Sequence, residues 1–180
     1  MVDIRHARIE DADGIARVWA ESWRAAYRGI VPDDYLNTID VAEWAERQRR
    51  NMENQSVGSV SLIADDGGST VGWASLGPNR MTDLPYAGEL YAIYLLPSHW
   101  RRGIGRLLMT STARSSIERG MDSMILWVLS ENWPARRFYE SMGGSLVSEH
   151  TYTIGGVSLP EVAYGWSELG ALTTQAGVAE

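Results

Sequence analysis

The sequence contains no cysteine. That removes disulfides, thiolate-bound metal and a cysteine nucleophile together. Phenylalanine occurs once, against eight Trp and eight Tyr. Amphipathic rings in that ratio suit a core with wet pockets, or an interface. No apolar run approaches the ~20 residues needed to span a bilayer, and the N-terminus lacks the basic-then-apolar pattern of a secretory signal. The cytoplasm is therefore the expected compartment, with no membrane partner. A basic excess is also missing, since the net charge is −7. The densest basic cluster, Arg101, Arg102 and Arg106, is too short to track a duplex, so no nucleic-acid partner is expected. His6, His99 and His150 show neither an i, i+4 pair nor a nearby carboxylate pattern, and no metal site is expected.

What remains is an ordinary globular composition, 44% hydrophobic and 22% charged over 180 residues, enough for one core. Ile4 to Ile9 reads as a first strand. A helix follows, with apolar positions Ile15, Val18, Trp19, Trp23, Ala26 and Tyr27 at helical spacing, and Gly29 breaks it. Pro32 opens a short helix. Asp40 with Glu43 resembles a capping box before a helix from Val41 to Met52. Val57–Ala64 and Thr70–Leu76 flank the turn Asp65-Asp66-Gly67-Gly68 and read as a hairpin. Gly77 to Gly88 reads as a long loop. A strand at Glu89–Leu95, a helix from about Gly105 to Arg119, a buried strand at Met124–Leu129 and a short helix at Pro134–Met142 follow. Ser145–Ile154 and Val157–Trp166 form a closing hairpin about Gly155-Gly156. The order predicts one α/β domain over residues 1–167, with a flexible tail over 168–180.

The richest segment runs from Leu95 to Leu108. A strand enters a turn with Gly103 and Gly105, and the turn opens a helix. First-turn amides have no intrahelical partner and carry the positive end of the helix dipole. Glycines let a ligand approach the backbone, so the segment is an anion site in form, with phosphate the usual occupant. Arg101, Arg102 and Arg106 reinforce the sign. It is not a Walker loop, which ends Gly-Lys-Ser/Thr. Nor is it a dinucleotide fingerprint, because Leu108 stands where a third glycine belongs.

Trp100-Arg101-Arg102-Gly103-Ile104-Gly105 resembles the acyl-CoA motif Gln/Arg-x-x-Gly-x-Gly/Ala of the GNAT superfamily of N-acetyltransferases, with Trp100 in place of Gln or Arg. Downstream, Asn132-Trp133-Pro134-Ala135-Arg136-Arg137-Phe138-Tyr139-Glu140-Ser141-Met142-Gly143 resembles that family's Asn-x-x-Ala-x-x-Phe-Tyr-x-x-x-Gly. Gly144 replaces the usual following Phe and is expected to loosen the packing there. Trp23 to Leu36 resembles the first helices of one bacterial branch, and the likeness covers roughly Ile4 to Trp166.

The resemblance implies a single-domain, mixed, mostly antiparallel sheet split into a V and flanked by helices. It implies acetyl-CoA as donor and an amine acceptor, either a small molecule or a peptide, attacked directly in a ternary complex. No metal is implied, and a homodimer is compatible with the family. Ile93, Tyr94 and Leu95 are the expected main-chain contacts to the pantetheine arm. Arg101, Arg102, Gly103, Ile104, Gly105 and Arg106 are expected at the pyrophosphate, and Asn132 at the cofactor arm. Tyr139, turned about 100° from the helix's buried face, is the expected acid, and Glu89 the candidate base, with a water relay as the alternative. Trp23, Tyr27 and Tyr91 are expected at the acceptor pocket, with Arg80 a possible contact. A serine acyl-enzyme is disfavoured because no Gly-x-Ser-x-Gly elbow is present. The competing expectation is a sensor that binds acyl-CoA on the same fold without turnover.

Overall fold

The computed structural model describes residues 1–54, 57–81 and 83–174. Its strands are β1 (Val2–His6), β2 (Val60–Asp66), β3 (Ser69–Pro78), β4 (Gly88–Leu95), β5 (Met124–Leu129), β6 (Ser145–Ile154) and β7 (Val157–Trp166). The helices are α1 (Ala12–Ala26), α2 (Asp33–Asn37), α3 (Val41–Glu53), α4 (Ile104–Glu118), α5 (Trp133–Ser141) and α6 (Gly170–Thr174). Among the described residues no helix is long and apolar enough to cross a membrane. The sheet order is β1-β2-β3-β4-β5-β7-β6. Neighbours are antiparallel except β4 and β5, which are parallel and joined through α4. That connection is the crossover a parallel pair requires.

The two sheet faces are covered separately. On one, Ile15 and Val18 of α1 meet Ile63, Val71 and Trp73. Removing such side chains from water contributes roughly 1.5–3 kcal/mol each. On the other, Leu108, Met109 and Ala113 of α4 pack with Leu126, Val128, Tyr139, Tyr164 and Trp166. A third cluster joins Val31 and Leu36 to Leu129 and Ile154, with Trp23 and Tyr27 against it. This cluster brings the α1–α2 segment and the tip of the β6–β7 hairpin together. A Cβ on Gly155 would lie 2.9 Å from that of Tyr35, so the hairpin turn tucks under α2 only because it is glycine.

Two sequence expectations change. The first strand ends at His6, and Ile9–Asp11 forms a 3-10 turn leading into α1. The tail expected to fray from residue 168 is ordered through α6, where Leu169 and Leu172 are each 1% exposed in the core. Two leucines spaced to reach the α4 face outweigh the small polar residues around them. Residues 175–180 of the expected tail lie outside the described residues.

Candidate active site

The anion turn takes the form its sequence predicts. After β4 the chain makes a 3-10 turn at Pro97–His99 and enters α4 at Ile104. Gly103 caps α4 at φ +78° with no side-chain hydrogen bond to the first-turn amides. Those donors therefore have no capping side chain. Arg101 is the single non-glycine with positive φ among the described residues, at +62°. Such a conformation costs on the order of 1 kcal/mol and concentrates at ligand sites. Arg101, Arg102 and Arg106 are exposed, and Ile104 is buried beneath them. Gly105 sets the first turn of α4 against Phe138 of α5, whose ring would lie 3.6 Å from an added Cβ.

The sheet opens beside this turn. β4 and β5 pair only at Gly88–Met124 and Glu89–Ile125. Beyond them the β4 edge facing β5 has no strand partner, the place an extended ligand chain can take. β4 is also bulged: Ser75 faces Ala92 while Leu76 faces Leu90, so Tyr91 is the extra residue. Ile93 and Tyr94 lie along the opened edge, Ile93 against the α4-side core and Tyr94 against the α1-side core. The carbonyl of Leu95 is already engaged. Ser22 Oγ donates to it at 3.0 Å and Trp100 Nε1 at 2.7 Å. Trp100 thus braces the turn from within. Unpaired edge and uncapped amides together fit a ligand with an extended amide-bearing arm and a phosphate end.

Tyrosines converge within the V. Tyr139 is 7% exposed, between Tyr164 (5.9 Å between centroids) and Trp166 (6.4 Å). Helical spacing had set it off the buried face of α5. It is instead the one buried residue of α5, while Ala135 and Phe138 are only partly covered. Its hydroxyl has no hydrogen-bond partner among the described residues. Burial, and next the neighbouring Tyr94, push its pKa well above the ordinary phenol value. Tyr94 is pushed up to about 12, chiefly by burial. Burial raises Tyr27 too, while the Asn132 side chain opposes part of the rise. Asn132 is buried and caps α5, its Oδ1 accepting from Ala135 N at 3.3 Å. The Trp23 indole meets the Tyr27 ring edge-on at 4.7 Å. Its buried Nε1 lies near the Tyr94 hydroxyl without the geometry of a hydrogen bond. The structure therefore brings Tyr139, Asn132, Tyr94, Tyr27 and Trp23 to one place. Two open grooves, of about 340 and 360 Å³, lie along Arg24 and Arg28.

Glu89 and Tyr91 stand apart from that cluster. Glu89 is 3% exposed. Its Oε2 accepts from the backbone N and the Nε of Arg80, both at 3.0 Å, and its Oε1 accepts from Arg80 Nη2. The guanidinium lies 4.3 Å above the Tyr91 ring, and the Tyr91 hydroxyl donates to the Pro78 carbonyl at 2.6 Å. Asn79 holds the same loop through Leu84 and Tyr86 carbonyls. Arg80, though 65% exposed, is thus engaged by Glu89, and Tyr91 serves as its platform.

Gly144 also differs from expectation. A Cβ there would meet the Trp166 ring at 2.6 Å, and Trp166 Nε1 donates to the Met142 carbonyl at 2.9 Å. The indole fills the space of the absent Phe, so the packing is tight. One pairing went unseen in the sequence. His150 Nε2 lies 2.9 Å from Glu161 Oε2, and its ring stacks on Trp127 at 4.0 Å. The hairpin register carries the signal, since counting back from the Gly155-Gly156 turn sets 150 opposite 161.

Residues 16–144 match the model of the Acetyltransferase (GNAT) family. The uncharacterized N-acetyltransferase YuaI of Bacillus subtilis is 40% identical over 174 residues, 97% of this chain and 98% of that protein. A spermidine N(1)-acetyltransferase of Thermoplasma acidophilum is 24% identical over 144 residues, 79% of this chain and 87% of its own. The crystal structure of the PaiA N-acetyltransferase of T. acidophilum in complex with coenzyme A superposes with a TM-score of 0.69 at 23% identity, covering 89% of this chain and 98% of that one. The anion turn, the opened β4–β5 pair and the Asn132–Gly143 helix all have the family's form, and the chain belongs to the GNAT family of acetyltransferases.

Proposed function

We propose that the protein transfers an acetyl group from acetyl-CoA to a primary amine by direct attack within a ternary complex. The observation that carries this reading is the uncapped anion turn of α4 beside a β4 edge that loses its partner after Glu89, with a protonated, unengaged phenol lying in the same opening. The α4 amides and Arg101, Arg102 and Arg106 hold the pyrophosphate. The β4 edge at Ile93 and Tyr94 takes the pantetheine arm. For Leu95 the contact falls to groups other than its carbonyl. Asn132 lies at the inner end of the arm.

Tyr139 is the proton donor to the departing thiolate. A phenol whose pKa is raised by burial stays protonated through neutral pH, and a leaving sulfur needs that proton. Trp23 and Tyr27 wall the acceptor side. Glu89 enters this reading as the anchor of the 79–87 loop, since Arg80 occupies both its oxygens. The base is therefore another group. That a relative is named for spermidine acetylation places polyamines among the acceptors to try first.

Purified protein with acetyl-CoA and, in turn, spermidine, L-methionine and an alanine-terminated peptide tests the reading by release of CoA thiol. Amine-dependent release is expected. Acetyl-CoA binding without release from any of the three favours the sensor.

A further inference from the structure

With Glu89 clamped by Arg80, the V needs a different group to take the proton of an incoming ammonium. A lysine-like amine is mostly protonated at neutral pH and cannot attack until that proton leaves. Two histidine–carboxylate pairs occur among the described residues, His99–Asp66 and His150–Glu161, and the second lies on the strands beyond β5. Glu161 on β7 faces Leu129 on β5 and His150 on β6, so the pair lies on the strands forming the far wall of the V. Leu129 belongs to the cluster with Val31, Leu36, Trp23 and Tyr27, which fixes the acceptor side as the side the Leu129 side chain faces. The Glu161 charge acts on the Tyr27 and Tyr94 hydroxyls, far behind burial as the cause of their shifts. The Trp127 ring of β5 stacks on His150, and Tyr27, just after α1, and Tyr94 of β4 are the titratable groups that feel Glu161. The pair is accessible, with side chains 34% (His150) and 16% (Glu161) exposed.

We propose that His150 is the catalytic base that deprotonates the acceptor ammonium, with Glu161 as its positioning residue. This rests on the acetyltransfer reading above. Glu161 Oε2 accepts from Nε2 of His150 at 2.9 Å, which fixes the proton on Nε2 and leaves the Nδ1 lone pair open. The carboxylate also stabilises the imidazolium once formed, as in other carboxylate–histidine pairs. Trp127, stacked on the imidazole at an interplanar angle of 7°, holds the ring plane. The buried Trp127 Nε1 has no hydrogen-bond partner among the described residues, so stacking on His150 is the ring's polar engagement.

The protons balance. The ammonium gives one to His150 Nδ1. The neutral nitrogen forms the C–N bond as the C–S bond breaks. The thiolate takes the Tyr139 proton, and the resulting phenolate recovers one from the new amide nitrogen. His150 releases its proton to solvent. The acceptor class that follows is an alkylamine charged at neutral pH.

The test uses the full chain with whichever of spermidine, L-methionine and the alanine-terminated peptide wild type acetylates fastest. For His150→Gln, kcat/KM at pH 7 should fall about 100-fold, through kcat rather than KM. Its acid limb should move up to the pKa of the amine itself. Glu161→Gln should lower kcat by less than His150→Gln does and leave KM unchanged. Histidine NMR provides a readout independent of turnover. The His150 resonance, identified by its loss in His150→Gln, should show the Nε2–H tautomer in wild type and lose that preference in Glu161→Gln. An unmoved limb in His150→Gln, a loss confined to KM, or a His150 resonance indifferent to Glu161→Gln overturns the assignment. If wild type releases no thiol with any of the three amines, the acetyltransfer reading fails first and this inference falls with it. If wild type is active and the His150→Gln profile is unchanged, this inference fails alone.

Discussion

At the scale of single residues the chemistry depends on which polar groups are engaged and which are left over. Tyr139 is left over: it is buried, protonated, and without a hydrogen-bond partner among the described residues. On the proposed reading, Tyr139→Phe should lower kcat about 100-fold while the dissociation constant for acetyl-CoA moves less than threefold. Calorimetry beside steady-state rates separates the two, and equal losses in both would make Tyr139 a packing residue. Glu89 is the reverse case, with both oxygens taken. Glu89→Gln should cost roughly 1–3 kcal/mol of stability by leaving buried hydrogen-bonding capacity unmatched. It should loosen the Arg80 loop and leave the acid limb of the pH–rate profile where it is. A vanished limb would restore Glu89 as the base. The motif residues were legible in sequence because each has a fixed local job: a glycine at positive φ, an Asn cap, a Tyr on a short helix. Roles that depend on a distant partner were not. Nothing near Glu89 in sequence announces that Arg80 folds back over it.

At the scale of elements, composition and period were enough to find most strands and helices, and helix α4 begins one residue from its expected start. The β4–β5–β7 arrangement was readable only through family resemblance, since a parallel pair leaves no local signature. The His150–Glu161 pair falls between these cases. Both strands and their turn were predicted, so the register that joins the residues could have been counted. The α5–β6 junction shows how one substitution relocates another. Trp166 occupies the volume beside Gly144, so Gly144→Ala should be destabilising by about 1–3 kcal/mol, the usual cost of overpacking. Adding Trp166→Leu should recover part of that loss, and urea unfolding of the two variants tests it. A neutral Gly144→Ala would mean that the indole moves aside at little cost.

At the scale of the whole molecule, the N-terminal strand is tied to its neighbours by charge. Arg5 reaches Asp11 at 2.8 Å and Asp65 at 3.0 Å, linking β1, the start of α1 and β2. The Arg5 guanidinium hydrogen-bonded to Asp11 holds that carboxyl below the usual carboxylate range. A folded-state pKa below the unfolded one adds stability that is complete above the unfolded value, near 3.9. That stability is lost as pH falls through the folded value. Asp11→Asn should therefore cost about 1–2 kcal/mol at pH 7. It should also flatten the fall in stability between about pH 5 and pH 2, seen in urea midpoints across that range. An unchanged slope would assign the acid sensitivity to other carboxylates.

One carbonyl joins the two halves of the site. Leu95 O accepts from Ser22 in α1 and from Trp100 in the anion turn, and Ser22 directly precedes Trp23. On the proposed reading, a donor that orders the turn would through that shared oxygen also order the helix that walls the acceptor. The consequence is synergy in binding, because coupling between two sites is reciprocal. CoA is expected to tighten amine binding, and the amine to tighten CoA binding, by the same factor. Ser22→Ala cuts the link while leaving the groups assigned to each substrate intact, and calorimetry should show that factor fall toward one.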